Sequence, residues 1–329
     1  MNASSTLSMR LAQKTRADYQ ILTDLWNACE PDYPQTLKET QFELENIPPT
    51  RTTLIYLAEL DGKMVGQSNS TCRHTVKQPH GFWVSVRVHP EYRNRGIGAQ
   101  LFEHHMKALE PHKPTKFKCS VDEDKPFALH FAKKRGFVEE VRHWESRLDV
   151  QAFDTAPYKG LEEKVNDLGV KLVPLSELMD RAPNYKDRIY DLDWECTLDE
   201  PLPDPPVKPE KGPWLRQHFE NPNFTPEAYL IAIDGAANEN AWIGMNELSR
   251  SQEGDGLLYN GFTALRRGYR NKGIATALKV KNIAWAKANG FKEIRTWNNS
   301  VNKPMLAVNT KLGFEKQPAD IGMKKEISR

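Results

Sequence analysis

The sequence predicts an α+β protein made of two copies of one unit, each of β-strands flanked by helices. Three observations carry this. The chain has 329 residues, and a domain takes about 100–200, so two are expected. Strand-like and helix-like segments alternate along its whole length. Two stretches, Arg93-Asn-Arg-Gly-Ile-Gly98 and Arg270-Asn-Lys-Gly-Ile-Ala275, read Arg-Asn-basic-Gly-Ile-small, each after a β-rich run and at the start of a helical one. Arg135-Gly136-Phe137 answers to Leu312-Gly313-Phe314, and 270 − 93 and 313 − 136 both give 177. Two matches at one offset indicate a domain-sized repeat. Between them the register slips by one, because Pro126 answers to position 303 and the proline is Pro304.

The elements follow in order. Residues 8–14 read as a short strand, and 17–30 as a helix with Ile21, Leu22, Leu25 and Trp26 on one face. Residues 53–60 and 63–74 are strands around Asp61-Gly62, a hairpin signal. Residues 82–89 are a β-branched and aromatic strand that Pro90 ends, 96–109 a helix, 115–121 a strand, and 125–135 a helix stopped by Gly136. A closing strand pair is expected over 138–148. The second copy reads alike: a linker helix at 160–168, a strand at 170–173, largely helix at 175–192, strands at 229–233, 241–248 and 257–265, a helix at 273–288, a strand at 292–297 and a helix at 305–312. The boundary falls near 149–157, giving domains 1–150 and 151–329. Residues 198–214 are so rich in proline that a loop is expected.

Composition limits the function. Hydrophobic residues make up 39% and charged residues 27%, enough apolar material for packed cores. The net charge of +2 speaks against a basic nucleic-acid coat or an acidic tail, and no nucleic-acid reader motif is present. No apolar run approaches the ~18 residues of a membrane span, so no membrane partner is expected. The first residues lack a basic stretch followed by an apolar one, so no signal peptide is expected. Cys29, Cys72, Cys119 and Cys196 are scattered without a CxxC, which fits free thiols in a reducing cytoplasm. No histidine pattern suits a metal. His104 and His105 point about 100° apart on a helix, and each is expected at the surface or half-buried.

The repeated loop carries chemistry. Its glycine lets a backbone approach a ligand closely, and the helix that follows offers free N–H groups and the positive end of a dipole. Together these suit a pyrophosphate. The Rossmann fingerprint needs a third glycine and the P-loop a Gly-Lys-Ser/Thr; neither is present.

Residues 86–101 and 263–278 resemble motif A of the GNAT acetyltransferase superfamily, and 296–314 resembles its motif B. The chain resembles the tandem GNAT proteins, the broad group that includes mycothiol synthase; the resemblance does not carry that enzyme's substrate over. It implies that each mixed sheet is splayed like a V between its fourth and fifth strands, with acetyl-CoA in the split as co-substrate and no metal. By position, Phe262, Thr263 and Ala264 would line pantetheine, and Arg270, Asn271, Lys272, Gly273, Ile274 and Ala275 would cradle pyrophosphate. The first-copy counterparts are Val86, Arg87 and Val88, then Arg93, Asn94, Arg95, Gly96, Ile97 and Gly98. Asn299 and Asn302 would hold the CoA arm, and Asn302 also suits a helix cap before Lys303-Pro304. Arg266, Arg267 and Lys272 are available to screen phosphates.

The implied reaction is direct attack of a primary amine on the thioester in a ternary complex. Many GNAT enzymes place a tyrosine acid four residues before the Gly-Phe glycine; here that position is Asn309 in the second copy and Ala132 in the first. Candidate catalytic residues are therefore Glu247 as base, Tyr259 as acid or pocket wall, and Asn309 as a hydrogen-bonding group, with Asn260 nearby. The matching first-copy stretch, Gly81-Phe82-Trp83-Val84, is apolar, so the second copy is expected to do the chemistry while the first is silent or binds CoA only. Residues 191–204 carry six carboxylates and no Lys or Arg. They read either as a solvated acidic loop, the commoner explanation, or as an acidic rim suited to a cationic amine, with the proline-rich loop 198–214 on the acceptor side. The expected protein is a cytoplasmic small-molecule N-acetyltransferase, monomeric or homodimeric. A non-catalytic CoA-binding or sensing protein and a protein or peptide N-acetyltransferase are the alternatives.

Overall fold

The computed structural model describes residues 6–72, 80–235 and 241–327. The first repeat runs β1 (Leu7–Leu11), α1 (Arg16–Cys29), α2 (Leu37–Glu45), β2 (Thr53–Leu60), β3 (Lys63–Cys72), β4 (Gly81–Val88), α3 (Ile97–Leu109), β5 (Lys116–Asp122), α4 (Pro126–Lys134) and β6 (Val138–Asp149). The second runs α5 (Leu161–Asn166), β7 (Val170–Pro174), α6 (Leu175–Leu178), α7 (Tyr185–Thr197), α8 (Lys211–Phe219), β8 (Tyr229–Asp234), β9 (Ala241–Arg250), β10 (Leu257–Leu265), α9 (Ile274–Ala288), β11 (Glu293–Asn299), α10 (Lys303–Lys311) and β12 (Glu315–Glu326).

The compact units are not the two sequential halves. One comprises Met1–Val141, Pro203–Pro209 and Asp320–Arg329; the other comprises Arg142–Leu202 and Glu210–Ala319. In the first the strand order is β1-β2-β3-β4-β5-β12, in the second β6-β11-β10-β9-β8-β7. The end of β12 pairs antiparallel with β5, from Asp320 opposite Asp122 to Glu326 opposite Lys116. β6 pairs antiparallel with β11, from His143 opposite Asn299 to Asp149 opposite Glu293. Each repeat's last strand thus completes the sheet that the other repeat begins, which a cut at residue 150 does not capture.

Both sheets are mixed, and the parallel pair in each is short. β4 meets β5 only over Gly81–Trp83, and β10 meets β11 only over Leu257–Tyr259. Beyond these three-residue ladders the strands part, which is the expected V. Helices cover both faces. In the second unit Ile189, Trp214, Ile231 and Met245 pack under α7 and α8, while Leu230, Ile243, Ile274 and Leu278 pack under α9. In the first unit Leu22, Leu25 and Leu57 pack under α1, and Ala58, Val65, Ile97 and Leu101 under α3.

Several expectations change. Residues 138–148 form one strand, β6, and contain no turn residue that would fold them back. α2 was not expected; its signature is the capping box of Thr36 and Glu39. The 175–192 helix is two, α6 and α7, with Pro183 in the break. The 198–214 insert turns helical at Lys211, where Pro213 sits in the first turn and its missing N–H costs nothing. Its Pro203–Pro209 stretch belongs to the first unit, where Asp204 pairs with Lys118 at 2.5 Å. It is therefore not a simple cover on the second repeat. The expected strand 63–74 is described to Cys72, and 73–74 lie outside the described residues. The register slip vanishes: α4 and α10, and β6 and β12, start and end 177 positions apart, and the proline only moves one place within a first turn. His105 is buried, its Nδ1 2.8 Å from Ser68 Oγ, and burial pushes its imidazole down to about 4.

Candidate functional site

The two repeated loops have the same backbone. Asn94 (φ 63°) and Gly96 (φ 76°) match Asn271 (φ 62°) and Gly273 (φ 80°). This left-handed pair is why Asn and Gly occupy those places. In both, the Asn-basic-Gly triplet is exposed while Ile97 and Ile274 are buried. Gly96 and Gly273 give α3 and α9 no side-chain cap, so the first N–H groups of each helix stay free for an anion. Arg93 Nε donates to Val88 O at 3.2 Å and Arg270 Nε to Leu265 O at 2.9 Å, each tying its loop to the strand before it. Arg95 lies over Tyr92 and Lys272 over Tyr269. Both loops therefore fit a CoA pyrophosphate; Ala275 and Gly98 keep the first turn small.

The strands before the loops differ. β4 runs against β3 in unbroken register from Gly66–Val88 to Cys72–Phe82. β10 does not: Asn260 faces Leu248 and Thr263 faces Asn246, so Gly261 and Phe262 together stand opposite Glu247. This is a β-bulge. Accordingly Leu265 lies 177 past Val88 but Leu257 only 176 past Gly81: β10 holds one extra residue. The bulge frees the Phe262 N–H from the ladder, and Glu247 Oε1 accepts it at 3.1 Å. Gly261 is required there, because a Cβ would run into Glu247 Oε1.

Glu247 lies on the α7 face of the central strand β9, so it is not an edge-strand carboxylate. Burial raises its carboxyl, against the lowering effect of the Phe262 N–H. Asp193 of α7 is pushed up to about 7, first by burial and then by the charges of Glu247 and Glu200; burial also raises Glu200. Tyr229, directly opposite Glu247, donates to Met245 Sδ at 3.3 Å, and burial with Glu247 and Asp193 lifts its phenol well above the usual range. Tyr259 pairs with Ser249, which by strand alternation puts it on Glu247's face, with its ring 5.9 Å from Trp297. Phe262 packs among the side chains under α7 and α8.

The remaining expected residues have other partners. Asn309 is 1% exposed; it donates to Asn298 Oδ1 at 2.6 Å, and its own Oδ1 has no partner. Asn302 caps α10 through Met305 N–H. Asn299 receives the Val301 N–H and donates to Pro201 O at 2.8 Å. Thr263 Oγ1 accepts from Asn246 at 2.8 Å, and Ala264 is buried. The acidic rim is partly neutralised: Glu195 pairs with Arg266 at 3.1 Å, and Asp199 with Arg267 and Arg270. The Arg267 hydrogen bond is the main reason the Asp199 carboxyl falls to about 2. Asp193 is the rim carboxylate that feels the charge of Glu247, and it feels that of Glu200 as well.

In the first repeat the matching positions are bridged. Arg87, Asp122 and Lys125 answer to Ala264, Asn299 and Asn302. Glu30 joins Arg87 at 3.4 Å to Lys125, which holds Asp122 at 2.6 Å, and Arg87 also lies over Trp26. Val86 and Val88 turn into the α3-side core. The Glu247 position is Asn69, opposite Ser85. Cys29, Cys72, Cys119 and Cys196 are free, and burial raises each thiol. Among the described residues no group of His, Cys, Asp or Glu is placed to hold a metal, and no helix is long and apolar enough to cross a membrane.

A repeated loop that fits a pyrophosphate, beside a splayed mixed sheet, is what the fold of a GNAT acetyltransferase provides. Residues 19–137 and 186–314 each match the acetyltransferase (GNAT) family, and the chain belongs to it. It is similar over its length to the tandem GNAT protein from the clavulanic acid biosynthesis pathway, with a TM-score of 0.72 at 20% identity, covering 98% of this chain and 99% of that one. It is likewise similar to a GCN5-related N-acetyltransferase from Sphaerobacter thermophilus, with a TM-score of 0.68 at 16% identity and 98% and 96% coverage. A mycothiol acetyltransferase from Actinosynnema mirum is 26% identical over 98 residues, 30% of this chain and 31% of that protein. The aligned stretch therefore spans about a third of that relative. As a tandem GNAT protein, the chain is of an acetyl-CoA-dependent class.

Proposed function

We propose that the second repeat transfers acetyl from acetyl-CoA to a primary amine of a small cationic molecule. The bulge in β10 carries this reading. It sets Glu247 against the free Phe262 N–H on the face where Asp193 and Glu200 add negative charge, and β4 has neither the bulge nor the carboxylate. Burial raises all three carboxyls. An incoming ammonium favours their ionised forms, and Glu247, directly or through water, takes the amine's proton. The neutral nitrogen attacks the thioester carbon; the C–N bond forms, the C–S bond breaks, and the sulfur leaves as thiolate. We assign Tyr259 the proton that the thiolate takes up; the second proton that the nitrogen sheds on becoming an amide returns to that phenolate through water, and Asn309 is assigned no proton at all. The 270–275 loop binds the pyrophosphate and fixes the thioester for attack. For the first repeat the unbroken β4 ladder and the Arg87–Glu30–Lys125–Asp122 bridge favour a role without turnover.

The test is thiol release from acetyl-CoA with a panel of mono- and polyamines. Glu247→Gln should lower kcat by about 10²–10⁴-fold. Deleting Gly261, which gives β10 the residue count of β4, should abolish turnover and spare acetyl-CoA binding. Full activity in either variant refutes the assignment.

A further inference from the structure

The inward face of α9 is apolar at Ile274, Ala277, Leu278, Ile283 and Ala286, yet it also holds a lysine. Lys279 is 2% exposed, and no carboxylate pairs with it among the described residues. Its Nζ meets Asn260 Oδ1 at 2.5 Å and the Phe314 ring at 5.3 Å. An ammonium can only donate, so it compels the Asn260 amide to present its oxygen to α9. The Nδ2 group then faces the bulge, where it donates to Gly261 O at 2.9 Å, Glu247 O at 3.3 Å and Thr263 Oγ1 at 3.3 Å. Those three atoms bracket the Phe262 N–H. A second tie runs through Thr263 Oγ1, which accepts from Asn246, whose Oδ1 accepts from Asn282 of α9 at 2.6 Å.

The repeat supplies an internal control. In the first copy Val84 stands where Asn260 does, Phe102 where Lys279 does and Val86 where Thr263 does, with Ser68 and His105 at the places of Asn246 and Asn282. The bulge and the Lys279–Asn260–Thr263 contacts occur together in one repeat and are missing together from the other, which keeps only the Ser68–His105 pair.

We propose that Lys279 is a positioning residue: by orienting the Asn260 amide it holds the β10 bulge in the shape that fixes Glu247, and it couples that shape to α9, the helix that starts at the pyrophosphate loop. The inference rests on the second repeat being the one that turns over. It is an action through Asn260, with no contact to substrate required.

The variants are Lys279→Met, Asn260→Val, the double, and Lys279→Gln, which can still donate to Asn260. Two readouts are needed. The first is amide hydrogen exchange of the full chain over 257–265 without ligand, with 229–234 as reference. Lys279→Met should raise exchange at 261–263 about tenfold and leave the reference unchanged. The double should match the singles, and Lys279→Gln should return toward wild type. The second is turnover with acetyl-CoA and the amine panel, where kcat should drop tenfold or more with the acetyl-CoA KM within twofold. Unchanged exchange at 261–263, additive singles, or a change confined to KM overturns the proposal. If wild type turns over no amine while exchange follows the expected pattern, the acetyl-transfer reading falls and the control of the bulge by Lys279 stands.

Discussion

Replacing Lys279 with methionine should change how stability depends on pH. Burial drives the Lys279 ammonium down from 10.5 to about 7. In the unfolded chain the same group stays protonated to about 10.4. Between those limits the unfolded state binds more protons than the folded one, so stability rises with pH. The full span, from 10.5 to about 7, is worth about 5 kcal/mol at ~1.36 kcal/mol per pH unit; about half of it should appear between pH 7 and pH 9. Methionine removes the group from both states, and every other titration cancels in the difference. Urea melts of both proteins at half-unit steps from pH 6 to 9.5 therefore give a difference curve. It should be flat at the acid end, where both states of the wild type are charged, and climb in favour of wild type above pH 7. A difference that stays level within about 0.5 kcal/mol, or falls with pH, would show that Lys279 keeps its ordinary affinity for protons in the fold.

Four further outcomes are expected. kcat/KM of wild type should rise with pH as the raised Glu247 carboxyl ionises, with a midpoint above 4.5; Glu247→Gln should flatten that limb along with lowering kcat, as a pH–rate series will record. Gly273→Glu places a carboxylate and a forced positive φ in the second loop, so it should weaken acetyl-CoA binding at least tenfold and abolish turnover; Gly96→Glu should leave turnover within twofold, and calorimetry with thiol release separates the two. Ser68→Ala strands the Nδ1 of His105 and should cost about 1–3 kcal/mol in a urea melt. His105 binds its proton at about 4 in the fold against about 6.5 unfolded, so as pH falls from 6.5 to 4 the wild type should lose about 3 kcal/mol. His105→Asn, which borrows the Asn282 residue, should not show that loss.

The repeated motif made the loops legible: Arg-Asn-basic-Gly-Ile-small sets the dihedrals and the helix start, and both copies fold alike. Most strand and helix positions followed from apolar periodicity and from Pro90, Gly136 and Gly313. The chemistry was less legible because its polar groups face each other across distant segments. Glu247 could be picked as a carboxylate beside the central strands, but the Phe262 N–H that orients it exists only because the ladder shifts. One mark of that shift was present: Gly261 interrupts a run of strand formers, which is how a bulge shows in sequence. The exchange of β6 and β12 left no mark at all, since a strand's pattern records which face is buried and not which neighbour it joins. The six carboxylates of 191–204 read as one acidic rim; only the fold could separate Glu195 and Asp199, held by arginines, from Asp193 and Glu200.

Why would two copies of a site keep one feature alike and let the other diverge? Binding a pyrophosphate asks little of side chains. Backbone N–H groups, two residues in the left-handed region and a buried isoleucine suffice, and the same features help start α3 and α9, so folding alone favours keeping them. The reactive centre proposed here uses a carboxylate, an extra residue in a central strand and a buried polar chain to hold it. Each of these costs stability: an ammonium in an apolar core, an interrupted ladder, a carboxyl raised by burial. The first copy has none of these three, with Val84, Phe102 and Asn69 in place of Asn260, Lys279 and Glu247, and its Arg87, Glu30 and Lys125 bridge the positions that the second copy leaves to Ala264 and Asn302. Counting the loops therefore counts candidate phosphate sites. On the function proposed above, one extra residue in β10 and the lysine beneath it mark the copy that hands on the acetyl group.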